Sequence, residues 1–161
     1  MVDRRNFIKA SVAGAVLPAA QLTQNTLAST SAEQVFPVLN IGTLAEVESQ
    51  NVIEFSYPDS ASPAILIRLE EAATGGIGPN NSIVAYSRLC THKGCPVGYR
   101  PGRQLLICPC HWSTFDPARA GTMVIGQASQ SLPQVMLRLD EDVIQAYGVT
   151  GLIYGRQTNI I

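Results

Sequence analysis

Every cysteine and histidine of the 161-residue chain lies between positions 90 and 111. The first group reads Cys90-Thr91-His92-Lys93-Gly94-Cys95, and the second reads Cys108-Pro109-Cys110-His111-Trp112-Ser113. Each offers two thiols and one imidazole within six residues, so the two groups are matched half-sites. Cysteines that only fill a core would not crowd beside the chain's sole imidazoles. Two thiolates and two imidazoles can hold zinc tetrahedrally, which leaves two cysteines without a task. The same donors can hold a 2Fe-2S cluster in which imidazoles replace thiolates on one iron. Two ferric ions, two sulfides and two thiolates sum to zero charge, whereas an all-cysteine cluster carries two more negative charges. An electron enters the neutral centre more readily, and each histidine keeps one ring nitrogen clear of metal for coupled proton uptake.

The first group matches the Cys-Thr-His-x-Gly-Cys box of the Rieske iron-sulfur proteins, and the second matches their Cys-x-Cys-His box with serine two places on. The chain therefore resembles that family. The resemblance implies that Cys90, His92, Cys108 and His111 bind a 2Fe-2S cluster while Cys95 and Cys110 form a disulfide between the loops. Such a bridge closes a loop of about 15 residues, worth about 3 kcal/mol in the chain-entropy model. Within the family it marks the higher-potential members linked to quinol or cytochrome. Ser113 stands where those proteins place a serine whose hydroxyl reaches a cluster sulfur, a contact that favours the reduced form. Phe115 stands at their tyrosine and lacks its phenol. Together these positions predict a potential above zero and below the top of the Rieske window of roughly −150 to +300 mV. Gly94 and Pro109 complete the set expected around the cluster. Lys93 suits an apolar quinol pocket poorly and a protein contact or solvent well. Trp112, the only tryptophan, is expected to cover the cluster or pack beneath its loop, with Arg100 and Arg103 as further docking candidates.

The flanking sequence must position these loops. Short apolar runs between Gly and Pro turn signals predict strands near 35–40, 51–56, 64–69, 82–86, 134–139, 142–149 and 151–155. Residues 49–51 and 140–142 read as turns, and 72–81, with three glycines and Pro79, as an exposed loop. The expected fold class is all-β: an antiparallel sandwich or barrel over 33–161, with a smaller cluster-binding lobe at about 86–126 inserted into it.

Apolar residues make up 46% of the chain and charged ones 14%, with a net charge of −1. That supports one buried core and excludes both a disordered chain and a nucleic-acid binder that works by phosphate neutralisation. Residues 1–32 carry Arg4, Arg5 and Phe7 ahead of a mild apolar stretch, and resemble a twin-arginine export signal. The resemblance implies a periplasmic protein exported already folded around its cofactor. The apolar stretch at 10–20 is shorter than the roughly 20 residues a bilayer span needs, so membrane contact is expected only if the leader is retained. Without 1–32 the net charge is −3, divided into +4 between residues 86 and 119 and −7 elsewhere. A basic lobe on an acidic base suits oriented docking against an acidic surface.

Phe115-Asp116-Pro117, Gly126-Gln127-Ala128, Leu132-Pro133-Gln134 and the ending Gly151-Leu152-Ile153-Tyr154-Gly155-Arg156-Gln157 are similar to the small Rieske subunits of arsenite oxidases. This implies a heterodimer with a large subunit holding a molybdopterin centre and a 3Fe-4S cluster. Electrons from arsenite would pass through this chain to a cytochrome c or a small copper protein. No substrate pocket is expected in the chain itself. Gln127 and Ala128 are expected in a loop over the cluster. Two rival readings are a Rieske subunit of a quinol-oxidising cytochrome bc complex and a free-standing electron-transfer module.

Overall fold

The computed structural model describes residues 36–159. The expected export leader and the domain boundary expected at residue 32 lie outside them. Strand β1 (Leu39–Thr43) runs directly into helix α1 (Leu44–Gln50), followed by β2 (Val52–Ser56), β3 (Pro63–Arg68) and β4 (Ile83–Ser87). Four short strands come next: β5 (Gly98–Arg100), β6 (Leu105–Ile107), β7 (Thr114–Asp116) and β8 (Thr122–Ile125). Strands β9 (Gln134–Asp140) and β10 (Val143–Thr150) complete the fold.

The long strands form one antiparallel sheet in the order β1-β10-β9-β4-β3-β2, and its two edge strands come into contact, so the sheet is nearly closed. The short strands form a second sheet in the order β5-β6-β7-β8, carried between β4 and β9. The fold is mostly β, a barrel-like base with a small additional sheet, which agrees with the expected all-β class and inserted lobe.

Strands β3 and β4 are the wall shared by two cores, which is why they read as continuous apolar runs. Ala64, Leu66, Ile83 and Ala85 face the interior of the base with Val135, Leu137, Ile144 and Ala146. The alternate residues Ile65, Ile67, Val84 and Tyr86 pack on the other side with Val97, Leu106, Phe115, Cys90 and Cys108. Each fully buried aliphatic or aromatic side chain contributes about 1.5–3 kcal/mol, so the small lobe is fixed to the base through these residues. Tyr86 adds a polar tie by donating its phenol to the Pro117 carbonyl, 2.7 Å away. Burial pushes its ionisation well above the usual tyrosine range, and the charge of Asp116 adds to the effect.

The sequence reading departs from the fold in three places. The turn expected at 49–51 is the end of helix α1, closed by Asn51 in the left-handed region. Thr43 and Glu46 form a reciprocal capping box at its start: Glu46 N–H donates to the threonine hydroxyl, and Thr43 N–H to the glutamate carboxylate at 2.7 Å. The strand expected at 35–40 begins at Leu39, and residue 35 is outside the described range. The strand expected at 151–155 is irregular, because Asn159 takes up its backbone groups. The Asn159 side chain accepts from Ile153 N–H at 3.0 Å and donates to the Gly151 carbonyl at 2.6 Å. No helix among the described residues is long and apolar enough to cross a membrane.

Candidate metal centre

The two ligand loops share one backbone plan. In the first, Gly94 N–H donates to the Cys90 carbonyl at 2.8 Å and Cys90 N–H to the Cys95 carbonyl at 3.0 Å. In the second, Trp112 N–H donates to the Cys108 carbonyl at 3.0 Å and Cys108 N–H to the Ser113 carbonyl at 2.9 Å. Each loop is thus a tight turn closed on its first cysteine, and each places a residue of positive φ four positions on, Gly94 at +72° and Trp112 at +62°. The Gly94 position has no room for a side chain, since a Cβ there would lie 2.7 Å from the Tyr154 ring. The C-terminal segment therefore covers the first loop.

Cys95 and Cys110 are joined by a disulfide with Cα atoms 6.5 Å apart. Their sulfurs and that of Cys108 lie within 4.8 Å of one another, so the bridge runs beside the second loop's free thiol. Cys90 and Cys108 are the free cysteines, and both are buried, at 1% and 2% exposure. Burial pushes the Cys90 thiol upward, the adjacent Cys108 adds to this, and the backbone N–H groups of His92 and Lys93 donating to its sulfur pull the other way. Those amides are placed to stabilise a thiolate.

The His92 and His111 rings meet edge to face with centroids 4.7 Å apart. Nδ1 of His92 is buried with no hydrogen-bond partner. An unpaired buried nitrogen costs about 1–3 kcal/mol unless something ligates it, and a metal beside the two thiols would do so. Cys90, His92, Cys108 and His111 are therefore donors suited to a 2Fe-2S cluster, with a half-buried histidine on one loop and an exposed one on the other.

The remaining predicted residues divide clearly. Ser113 is fully buried, and its Oγ accepts from Gln127 N–H at 3.1 Å and Ala128 N–H at 3.0 Å. Gly126, at φ +122°, passes so close that a Cβ would lie 2.4 Å from the Ser113 Cα. Thr91 donates to the Gln130 carbonyl at 2.7 Å, so the loop over 126–132 is tied to both ligand loops. Phe115 is fully buried opposite Leu106 and Met123. Pro109 is exposed, and Lys93 projects from the first loop into solvent. Trp112 is 71% exposed. It lines a groove with Arg100 and Arg103 instead of packing beneath its loop. Sequence reasoning missed the part of Tyr154 and Thr91; the Gly94 that admits the ring was visible, but its cover lies some sixty residues away in sequence.

Two buried free thiols and two imidazoles in edge-to-face contact are the donor types that an iron-sulfur centre with mixed ligands requires. Residues 42–136 match the Rieske [2Fe-2S] domain model, and the chain belongs to that family, with a 2Fe-2S cluster as its cofactor. It is 38% identical to the iodate reductase subunit IdrB of Denitromonas iodatirespirans over 98% of this chain and 86% of that one. It is also 42% identical to the cytochrome bc1 complex Rieske iron-sulfur subunit of Streptomyces lividans, over 43% of this chain and 42% of that one. The soluble domain of Rieske protein II (soxF) from Sulfolobus acidocaldarius superposes with a TM-score of 0.68 at 25% identity, covering 76% and 82% of the two chains.

Proposed function

We propose that this chain is the one-electron relay subunit of a periplasmic molybdenum oxidoreductase acting on an oxoanion, with arsenite as the substrate of a large partner subunit. The observation that carries the reading is the extent of the likeness. A subunit of a named oxidoreductase matches 98% of this chain and 86% of its own length, whereas the bc1 subunits of Streptomyces lividans and Corynebacterium efficiens match 43% and 72% of this chain and 42% and 32% of their own. Of the segments that resemble arsenite oxidase small subunits, 115–117, 126–128, 132–134 and 151–157, the second is the loop on Ser113 and the last carries Tyr154 over Gly94.

In this reading Cys90, His92, Cys108 and His111 hold the cluster, which supplies a single exchangeable electron. Ser113 holds the 126–128 loop and keeps its own proton for a cluster sulfur. The Cys95–Cys110 bridge fixes the two ligand loops against each other. The partner is a subunit carrying molybdopterin and a 3Fe-4S cluster, and the acceptor a cytochrome c or small copper protein. The twin-arginine leader with Arg4, Arg5 and Phe7 supports export of the folded, cluster-loaded chain to the periplasm.

The iodate reductase relative favours a second reading, in which electrons run inward from the carrier to the large subunit. Native purification by a tag on this chain tests both. A molybdenum protein should co-purify, and the complex should reduce cytochrome c with arsenite or consume electrons with iodate. Recovery of a membrane cytochrome b, or of this chain alone, would overturn the proposal in favour of a bc complex or a free-standing carrier.

A further inference from the structure

The ligand loops differ at one telling position. Gly94 and Trp112 occupy equivalent places, both with positive φ. Glycine adopts that conformation freely, while a tryptophan there costs about 1–2 kcal/mol. Burial does not repay this, since Trp112 is 71% exposed. A strained backbone that holds a large aromatic ring in water, one residue from His111, points to a contact outside the chain.

Trp112 lines an open groove of about 410 Å³ with Arg100, Pro101, Gly102, Arg103 and Ile107. Among the described residues neither arginine forms an ion pair and both are exposed; Arg88, Arg119 and Arg156 are matched to Glu54, Asp116 and Asp59, and of the other two unpaired arginines Arg68 is half-buried and Arg138 donates to Gln145. No Asp or Glu occurs from Ala72 to Phe115. Glu70, whose charge acts on the Tyr99 phenol, pairs with neither arginine. The opposite edge of the small sheet, β8, carries no charge and exposes Val124 and Ile125. The lobe thus has one basic, aromatic edge and one uncharged edge.

We propose that the groove of Trp112, Arg100 and Arg103 docks a small one-electron carrier protein through an acidic surface. The indole seats at the centre of the contact, and the guanidinium groups take carboxylates of the carrier. One electron leaves the reduced cluster and reduces the oxidised carrier, or returns the other way, with no bond or proton exchanged. Charge-led contacts of this kind are fast and salt-sensitive. The inference rests on the relay reading above.

The test uses the full chain with its cluster, reduced chemically so that no molybdenum partner is needed. Stopped-flow mixing with an acidic and a basic cytochrome c, as probes, spans ionic strengths from about 0.01 to 0.15 M. The acidic probe should react faster at low salt and slow as salt rises. Arg100→Glu with Arg103→Glu should slow it at least about tenfold at low salt and reverse the salt dependence. Trp112→Gly, which keeps the backbone conformation without strain, should slow it at every salt concentration with the salt slope unchanged. The cluster EPR spectrum should match the parent in each variant. A salt-independent rate, or a charge-reversed variant as fast as the parent, would overturn the docking site. A chain without a reducible cluster fails before any carrier is added, which is a failure of the relay reading and not of this one.

Discussion

Replacing Ser113 by alanine separates two tasks of one hydroxyl. Its oxygen accepts from the Gln127 and Ala128 amides, so its own proton is uncommitted among the described residues. The side chain is fully buried beside the second ligand loop, and a cluster sulfur is the acceptor that the family resemblance supplies. A hydrogen bond to a charged partner is worth about 1.5–3 kcal/mol. For a one-electron couple, 1.4 kcal/mol corresponds to about 59 mV, so Ser113→Ala should lower the midpoint by about 60–130 mV. Stability should fall as well, by about 1–3 kcal/mol for the buried Ala128 amide left without an acceptor. Protein-film voltammetry gives the first number and denaturant unfolding the second. A variant with an intact Rieske EPR signal and an unchanged midpoint would refute the assignment of the serine proton to the cluster.

Other outcomes follow from the same geometry. Cys95→Ser or Cys110→Ser should retain the cluster but lose about 3 kcal/mol of stability, read as a lower unfolding midpoint; complete loss of the rhombic EPR signal would mean that ligands and bridge are misassigned. Phe115→Tyr supplies the missing phenol and should raise the midpoint by about 60 mV if it gains one hydrogen bond to a ligand sulfur, checked by redox titration. Burial pushes Tyr57 up to about 12, against about 10 in the unfolded chain, so its contribution is fully present below pH 10 and is lost as pH rises toward 12. Tyr57→Phe should therefore flatten the alkaline fall in stability measured by circular dichroism.

The ligand boxes were legible because their chemistry is local: Cys90 to Cys95 and Cys108 to Ser113 are each one turn, and a turn shows in a short stretch of sequence. The long strands were legible through apolar runs, above all β3 and β4, whose burial on both faces leaves no polar alternation to misread. What escaped the sequence depends on distance. The four strands of the small lobe are only three or four residues long and take their form from pairing with one another. Helix α1 was hidden in seven residues, although Thr43 and Glu46 carried the capping signal. The 151–155 segment is apolar enough for a strand, yet Asn159 draws off its hydrogen bonds and turns Tyr154 onto Gly94. Trp112 reads in sequence as a cover for the cluster or as packing beneath its loop, and its exposure and its groove with Arg100 and Arg103 exclude the second of these.

The central claim is that the cluster in this chain carries the electrons of a partner's oxoanion chemistry. Rapid-freeze EPR of the natively purified complex measures it directly. Arsenite added to the oxidised complex should raise the reduced Rieske signal toward one electron per chain, or iodate added to the reduced complex should erase it, within one turnover. A signal that stays constant while the partner turns over, and appears only with a chemical reductant, would contradict the claim.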